Sequence, residues 1–527
     1  MRRLLPLLLV CAALLPAQND PERIEWFRDL GFGLFLHWSL DSQVGSVISH
    51  SLVGADEDYI DRFQNELPRS FNPTKFDAKE WARLAKLAGF RYVVFTAKHH
   101  SGFCMFHTKT TDYSIEHTPF ERDVTREIVD AFREEGIAIG IYFSPDDFHF
   151  LHEQGTLLSR RRPEVLTNNN PALLEYDRKQ VRELYTNYGS VEVFFIDGEP
   201  EGLKQLAWEI QPKTVVTRGE IETPEQYTPG LPLDGPWEGN LTMGVQWQYR
   251  PTNDTLKSGT ELIETLVETR AKGGNLLLNI APHPDGDIPK EQADRLREIA
   301  LWMMVNRDSI YGTRTWIITN EGPIWFTKKK DEKTVYAFVT GEPWKYAEER
   351  SFTLKSVKGT AATKVRILGQ NDKVLEYRPE VVPQTKWEQR ADGLHITATR
   401  AQRLYNDRRW PNPVVFEITN AEPNLDPPAV TTTGATKEGR KVTLEGELAS
   451  MGDQSSLAVG FEYRKQKDMA DLYEPDDPWK ATKTVTMRST GAYSIVEPAL
   501  SSGGPWEVRA MVKHPAITLY GQPKPVE

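Results

Sequence analysis

The chain has 527 residues, with 64 basic and 75 acidic side chains and a formal net charge of −11 at pH 7. This negative balance argues against nucleic acid as a partner, because proteins that bind the phosphate backbone are normally basic. A length above 500 residues predicts about three domains. Since Cys11 lies in the N-terminal apolar segment, only Cys104 remains beyond it. A single cysteine excludes an intramolecular disulfide in the rest of the chain, and no cysteine–histidine cluster has zinc spacing.

The first 18 residues have the features of a secretory signal peptide. Two arginines precede an apolar run from Leu4 to Leu15, and small residues follow near Ala17. This is the order of a cleavable export signal, and the run is too short for a membrane span. No later apolar run reaches 18 residues. We therefore expect an exported protein, secreted or periplasmic, without a membrane span.

Residues 19–314 alternate strand-like apolar runs with helical patterns. Repeated βα units predict a parallel sheet. We expect a (β/α)8 TIM-like barrel rather than a doubly wound sheet, because no glycine-rich phosphate-binding fingerprint follows the first strand. The stretch 236–253 has the weakest periodicity. The predicted strands are Phe32–Trp38, Tyr92–Lys98, Ile137–Phe143, Val191–Asp197, Val215–Arg218 and Asn275–Ala281, and the predicted helices are Asp77–Ala88, Asp123–Glu135, Pro171–Tyr188 and Ser258–Lys272.

Short alternating runs after residue 314 predict two all-β domains. Runs such as TVYAFVT and LHITAT indicate an antiparallel β-sandwich over residues 315–421. The segment AEPNLDPPA is a proline-rich linker. Runs such as KVTLEGEL and WEVRAMVKH then predict a fibronectin-type or immunoglobulin-like β module over residues 430–527. Modules of this kind usually act as spacers or docking units.

Polar residues recur at the ends of the predicted barrel strands, where barrels of this class place their chemistry. Asp197 ends the fourth strand, in VEVFFIDG, and His37 ends the first. His99 and His100 end the second, and Tyr142 lies near the end of the third. A helix N-cap is the alternative for the aspartate, and a single strand-end histidine is usually structural. One acid with several neutral hydrogen-bonding groups at one barrel mouth favours a pocket for a polyol.

The same residues leave a metal site open as an alternative. Imidazoles and carboxylates are the ligands that zinc and other transition metals prefer. However, adjacent residues of a strand point to opposite faces, so His99 and His100 can bind one ion only if the strand ends there. We expect no metal.

Six segments carry a resemblance to a known family. They resemble, in order, the motifs of the α-L-fucosidases of glycoside hydrolase family 29: WFRDLGFGLFLHW, TAKHHSGFCMF, the RDV of ERDV, GIYFSP, NYGSVEVFFIDG and GGNLLLNIAPHPDGDIP. The similarity spans about residues 22–315. It implies a (β/α)8 catalytic barrel followed by a C-terminal β-sandwich, and retaining exo-hydrolysis of terminal α-L-fucosyl residues. It also implies a fucosylated glycan as substrate and no metal or organic cofactor, and it leaves the linkage open.

Carried over by position, the resemblance makes Asp197 the nucleophile. It implies that His37, His99 and His100 hold the sugar hydroxyls and that Tyr142 contributes to the pocket. The chain departs from the family's usual pattern at three of these motifs. Ser39 stands in place of a glycine and Ser101 in place of an aspartate, and Asp146, Asp147 and Phe148 stand where the family often has Trp-Asp-Trp. These departures leave the exact sugar and leaving group open.

The resemblance places the acid/base at Glu238, nine residues before Trp247 in a Glu…Trp-x-Tyr pattern. Trp38 and Trp247 are expected to supply the apolar part of the pocket. The acids that remain open as alternatives for the proton donor are Glu199, Glu220 and Glu222.

Three other functions remain open from the sequence. One is a non-catalytic carbohydrate-binding barrel, which would keep the histidines and lose a carboxylate. Retention of both Asp197 and Glu238 favours an enzyme instead. The others are an α-L-galactosidase-like glycosidase and a metal-dependent hydrolase. Comparing activity on matched α-L-fucosides and α-L-galactosides tests the first, and loss of activity in a chelator tests the second.

Overall fold

The computed structural model describes residues 18–252, 254–404, 409–466 and 477–526. The expected signal peptide falls, apart from residue 18, outside these residues and stays a prediction. Within the described part of the chain, no helix is both long and apolar enough to cross a membrane.

One curled sheet of seven parallel strands forms the N-terminal part of the fold. The strands are β1 (Phe32–Leu36), β2 (Tyr92–Lys98), β3 (Ala138–Phe143), β4 (Val193–Ile196), β5 (Val215–Val216), β6 (Glu238–Thr242) and β7 (Asn275–Ile280). Their order across the sheet is β5-β4-β3-β2-β1-β7-β6. The strands are buried on both faces, which explains their continuous apolar runs.

The predicted strands are confirmed. Strand β6 lies in the stretch 236–253, whose weak periodicity did not predict a strand. Strands β5 and β6 lie at the two ends of the sheet. The segment 222–226 runs parallel beside β6, with bridges from Glu222 to Trp237 and from Glu225 to Asn240. The structure thus shows a curled parallel sheet in the described residues, while closure into an eight-stranded barrel stays a prediction.

Helices on the outer face of the sheet follow most of the strands. The predicted helix at Asp77–Ala88 is typical, because the Asp77 carboxylate accepts the backbone N–H groups of Lys79 and Glu80, and Gly89 ends the helix with φ of 92°. The helices are α1 (Pro21–Leu30), α2 (Glu57–Asn65), α3 (Leu67–Ser70), α4 (Ala78–Ala88), α5 (Val124–Glu134), α6 (Phe148–Glu153), α7 (Pro171–Asn187), α8 (Leu203–Ile210), α9 (Gly259–Ala271) and α10 (Lys290–Asn306), with 3-10 turns at Leu40–Gln43, Ile48–His50, Ile115–His117, Pro163–Val165, Arg307–Ser309 and Pro498–Ser501.

Antiparallel strands follow α10, as the alternating runs predict. The strands are β8 (Thr313–Glu321), β9 (Ile324–Lys329), β10 (Val335–Val339), β11 (Trp344–Lys345), β12 (Glu349–Leu354), β13 (Val357–Lys358), β14 (Lys364–Ile367), β15 (Lys386–Arg390), β16 (Gly393–Thr399), β17 (Arg409–Trp410), β18 (Val414–Thr419) and β19 (Glu422–Pro423). The main sheets have the orders β14-β18-β10-β9-β8 and β12-β16-β15. Trp302 of α10 donates its Nε1–H to the Pro413 carbonyl at 2.8 Å, which joins this part to the helices.

The last part of the chain is a second antiparallel β structure. Its strands are β20 (Ala429–Glu438), β21 (Lys441–Ser450), β22 (Leu457–Lys465), β23 (Lys480–Ala481), β24 (Val485–Met487), β25 (Gly491–Val496), β26 (Trp506–Lys513), β27 (Thr518–Tyr520) and β28 (Lys524–Val526). The sheet β20-β21-β25 and the sheet around β22 and β26 share an apolar core that includes Leu444, Phe461 and Val512. This core is separate from the core of the parallel sheet. The domain boundaries given above stay predictions.

Candidate active site

The predicted polar residues come together at the carboxyl edge of the parallel sheet. His37 follows β1, His99 and His100 follow β2, and Asp197 follows β4. The rings of His37 and His99 are 5.5 Å apart, and the Tyr142 ring stacks on His99 at 4.9 Å. The strand ends therefore build one compact group of imidazoles, a phenol and a carboxylate.

Asp197 lies at the centre of a cluster of hydrogen-bond donors and cations. The Tyr142 hydroxyl donates to Oδ2 at 2.8 Å, and His100 Nε2 lies 3.2 Å from the same oxygen. Oδ1 accepts from Arg218 at 2.8 Å and lies 3.4 Å from Arg160 Nη2. Burial would raise the pKa of this carboxyl, but the His100 ring and the two guanidinium charges hold it well below its ordinary value. The aspartate is therefore ionised at neutral pH, as an attacking nucleophile must be.

The imidazoles of His37 and His99 are neutral hydrogen-bonding groups. Burial lowers the pKa of His37 to about 3 and lowers that of His99 well below its ordinary value. His37 Nδ1 donates to Asn279 Oδ1 at 2.6 Å, since the amide N–H of that asparagine is directed at the Trp247 carbonyl. His99 Nδ1 accepts the backbone N–H of His100 at 2.9 Å. In these tautomers His37 keeps Nε2 as an acceptor and His99 keeps Nε2–H as a donor, a pair suited to sugar hydroxyls.

The two tryptophans expected in the pocket lie on different sides of the sheet. Trp247 is half-buried, and its ring is 5.0 Å from the His37 ring. Trp38 is fully buried in the outer core, where it packs on Trp81 at 5.2 Å and donates Nε1–H to the His283 carbonyl. Adjacent residues at a strand end point to opposite faces, so the inward position of the histidine turns the next residue outward. This corrects the expectation that Trp38 contacts the substrate, while Trp247 stays in the predicted pocket.

Glu238, the expected acid/base, is sealed inside the sheet. It is the first residue of β6, and Tyr92, the first residue of β2, donates its hydroxyl to Oε2 at 2.5 Å. The Glu238 side chain is fully buried, and burial raises its pKa to about 7. A raised pKa suits a proton donor, but a carboxyl group with no exposed surface is closed to a glycosidic oxygen. The geometry therefore corrects the expected role: Glu238 is a buried structural acid.

Glu225, which the sequence reasoning missed, shares one guanidinium group with Asp197. Nη1 of Arg218 binds Asp197, and Nη2 of the same group pairs with Glu225. Burial raises the pKa of Glu225 above its ordinary value in spite of this cation. Its side chain is still 43% exposed, so it remains open to a substrate. The site thus holds two carboxyl groups on one cation, with pKa values displaced in opposite directions.

The three acids left open as alternatives have other positions. Glu220 pairs with Lys204 at 2.6 Å, and Glu199 accepts from the Asn168 amide at 2.7 Å. Glu222 is exposed on the segment beside β6. A cleft of about 710 Å³ opens beside Glu220 and Glu222, and it is lined by residues 218–225 together with Tyr227, Asp234 and Pro236.

Arg160 is a second residue that sequence reasoning missed. It lies between α6 and α7, and its Nε donates to Asp146 at 3.0 Å while Nη2 faces Asp197. Its only signal in the sequence is the basic run SRRRP, which reads as an ordinary exposed loop. Asp197 indicates only that some cation lies nearby, because a buried strand-end carboxylate needs one; it does not identify Arg160.

Among the described residues, His99, His100 and Asp197 have potential ligand atoms within 4.8 Å of one another. Two guanidinium groups, of Arg218 and Arg160, contact the same aspartate. Positive charges at this distance oppose a divalent cation. The donor set therefore fits a hydrogen-bonded carboxylate better than a metal, and the expected absence of a metal stays a prediction.

Comparison with known proteins gives a consistent result. A family model described as alpha-L-fucosidase matches residues 16–308. The plasma alpha-L-fucosidase of Homo sapiens is 30% identical over 396 residues, which cover 65% of this chain and 81% of that protein. Alpha-L-fucosidase isoenzyme 1 from Paenibacillus thiaminolyticus superposes with a TM-score of 0.62 at 28% identity, covering 76% of this chain and 99% of that one. The alpha-fucosidase of Thermotoga maritima, solved with a mechanism-based inhibitor, gives 0.59 at 26% identity, covering 76% and 100%.

Proposed function

Since the chain belongs to the α-L-fucosidase family and is a glycoside hydrolase acting on fucosyl residues, we propose that it is a retaining exo-enzyme. It removes terminal α-L-fucosyl residues from oligosaccharides or glycoconjugates through a covalent glycosyl-enzyme on Asp197. Glu225 is its acid/base. The observation that supports this proposal is the pair of carboxyl groups held on Arg218, one ionised and the other with a raised pKa.

In the first step Asp197 attacks the anomeric carbon. Protonated Glu225 gives its proton to the glycosidic oxygen as the bond to the leaving group breaks. In the second step the Glu225 carboxylate takes a proton from water, which attacks the anomeric carbon and frees Asp197. Retaining enzymes of this class need two carboxyl groups about 5–5.5 Å apart, and two carboxylates on the two terminal nitrogens of one guanidinium suit that requirement.

Arg218 keeps the two roles separate. It stabilises the carboxylate of Asp197, together with Tyr142 and His100. Environments that push the pKa values of two acids apart identify the nucleophile and the proton donor. The second step then regenerates the starting protonation states without any further group.

The fucosyl ring is bound by the neutral imidazoles. His37 accepts and His99 donates hydrogen bonds to ring hydroxyls, and the half-buried Trp247 ring beside His37 offers an apolar surface for the C6 methyl group. An apolar surface rejects an added hydroxyl only by about a hundredfold. Aryl α-L-galactosides are therefore expected to be slower substrates, and aryl α-D-galactosides, of opposite hand, are not expected to react.

The test is hydrolysis of an aryl α-L-fucoside by the wild type and by Asp197→Asn. The substitution keeps the shape of the side chain and removes the nucleophile, so kcat should fall by at least about a thousandfold. Near-wild-type turnover in Asp197→Asn would refute the assignment. A preference for the α-L-galactoside over the α-L-fucoside would show that the sugar is wrong and the family right.

Export of the enzyme is part of the same proposal. The two arginines, the apolar run from Leu4 to Leu15 and the small residues near Ala17 support it. Expression of the full chain in a host that exports proteins, followed by N-terminal sequencing of the extracellular or periplasmic enzyme, tests it. Enzyme that stays in the cytoplasm with its first 18 residues intact would contradict it.

A further inference from the structure

We propose that the cleft beside Arg218 is a leaving-group subsite that accepts a neutral sugar and discriminates against an anionic one. This inference rests on the proposed function, because it concerns the sugar that departs when the fucosyl bond breaks. The cleft has a volume of about 710 Å³ and is lined by both Arg218 and Glu225. A leaving group protonated by Glu225 therefore lies in this cleft when its bond breaks.

The wall of the cleft is acidic. Glu220, Glu222, Glu225 and Asp234 all line it. The charge of Arg218 is already matched by Asp197 and that of Lys204 by Glu220, so Glu222 and Asp234 give the wall its negative charge even while Glu225 is protonated. The remaining charge is negative, and a uronate or a sulfated or sialylated sugar brings a second negative charge into the same space.

An exposed aromatic ring provides the apolar part of the cleft. The Tyr227 side chain is 58% exposed and lines the cleft. An exposed ring of this size presents a flat apolar face together with a polar hydroxyl. The C–H-rich face of a pyranose fits such a surface, whereas the surrounding carboxylates bind its hydroxyls. Together these groups select for an uncharged sugar.

The loop that carries this wall is fixed from two sides, so the cleft is formed before substrate arrives. Lys272 Nζ donates to the Pro229 carbonyl at 2.6 Å. From the C-terminal β structure, Gln522 donates to the carbonyls of Leu231 and Pro232 at 3.2 and 3.3 Å. The last module thus supports the wall between Tyr227 and Asp234, and a preformed subsite discriminates better than a mobile one.

Two disaccharides of the same linkage test the charge preference: fucosyl-glucose and fucosyl-glucuronic acid. We expect kcat/KM to be about tenfold higher for the neutral disaccharide at low salt, with the ratio shrinking in 0.5 M NaCl because mobile ions screen exposed charges. In the double variant Glu222→Gln/Asp234→Asn the ratio should fall to about threefold or less. Glu80→Gln/Glu291→Gln, which also removes two negative charges but at exposed positions on α4 and α10, is the matched control and should keep the wild-type ratio.

α-L-Fucosyl fluoride separates the failure of this inference from the failure of the proposed function, since its leaving group is too small to fill the cleft. No hydrolysis of the fluoride or of either disaccharide would overturn the proposed function. Hydrolysis of all three with equal kcat/KM for the two disaccharides, or an unaltered ratio in the double variant, would overturn the charge preference. Tyr227→Ala should raise KM for the neutral disaccharide about fivefold or more relative to the fluoride; an equal effect on both would overturn the stacking role.

Discussion

Replacing Glu225 by glutamine distinguishes a glycosidic bond whose leaving group must be protonated from one whose leaving group departs without a proton. The amide keeps the size of the side chain and removes its ionisable proton. A sugar leaving group departs as an alcohol and needs protonation, whereas an activated aryloxide such as dinitrophenolate departs without it. We therefore expect the loss of activity in Glu225→Gln to depend on the leaving group.

The expected magnitude separates catalysis from local structure. General acid catalysis contributes about 10²–10⁴-fold, which is about 3–5 kcal/mol at 1.36 kcal/mol for each factor of ten. The Glu225 side chain is 43% exposed, so loss of its ion pair with Arg218 contributes at most about 1 kcal/mol. A loss of about 10³ in kcat/KM on a fucosyl disaccharide thus exceeds what the ion pair explains.

The assay measures kcat/KM for a fucosyl disaccharide and for a dinitrophenyl α-L-fucoside. Glu225→Gln should lose about 10³ on the first and less than about tenfold on the second, with a burst as the glycosyl-enzyme accumulates. Glu238→Gln is the matched control, because it makes the same change at the buried acid and should keep activity within about fivefold on both substrates. Equal losses on both substrates in Glu225→Gln, or a leaving-group-dependent loss in Glu238→Gln alone, would refute the reasoning.

Three further predictions follow from the same geometry. His37→Ala should lower kcat/KM by about 30-fold, or about 2 kcal/mol, because a buried sugar hydroxyl loses its partner; an effect below threefold would place the imidazole outside the pocket. Activity should be unchanged after dialysis against EDTA, since two guanidinium groups occupy the surroundings of Asp197, and a metal bound stoichiometrically at the sheet edge would contradict this. Burial raises the pKa of Glu238 from 4.5 to about 7, so the folded state keeps this proton to higher pH than the unfolded state. Its contribution to the free energy of unfolding should therefore fall by about 3 kcal/mol between about pH 4.5 and pH 7. Denaturant titrations of the wild type and of Glu238→Gln at pH 5 and at pH 8 measure this fall as a change in the stability difference between the two proteins. A stability difference that is the same at both pH values would contradict the burial of an ionisable group.

The strands and the residues at their ends could be predicted from the sequence, because buried parallel strands are continuous apolar runs whose end is marked by a polar residue. His37, His99 and Asp197 follow such runs, and the structure brings them together. Trp38 shows the limit of this reasoning. It is adjacent to a pocket residue, but the alternation of side chains at the end of β1 directs it into the outer core.

The proposed acid/base, Glu225, could not be derived from spacing. The Glu…Trp-x-Tyr pattern favours Glu238, and the pattern does not show that this residue begins a strand and points at Tyr92. Glu225 lies in the irregular segment between β5 and β6, where hydrophobic periodicity carries no information. Its proximity to Asp197 depends on Arg218, a contact between residues 21 positions apart that only the folded chain reveals.

The central claim, a covalent intermediate on Asp197, is tested most directly by trapping it. In 2-deoxy-2-fluoro-α-L-fucosyl fluoride, the fluorine at C2 slows both the formation and the hydrolysis of the glycosyl-enzyme. The fluoride leaving group of this reagent favours the first step, so the covalent adduct forms faster than it is hydrolysed. Mass spectrometry of the digested protein should then show one fluorofucosyl group on the peptide that contains Asp197, and none in Asp197→Asn. An adduct on a different residue, or none in an enzyme that still hydrolyses α-L-fucosides, would contradict the account.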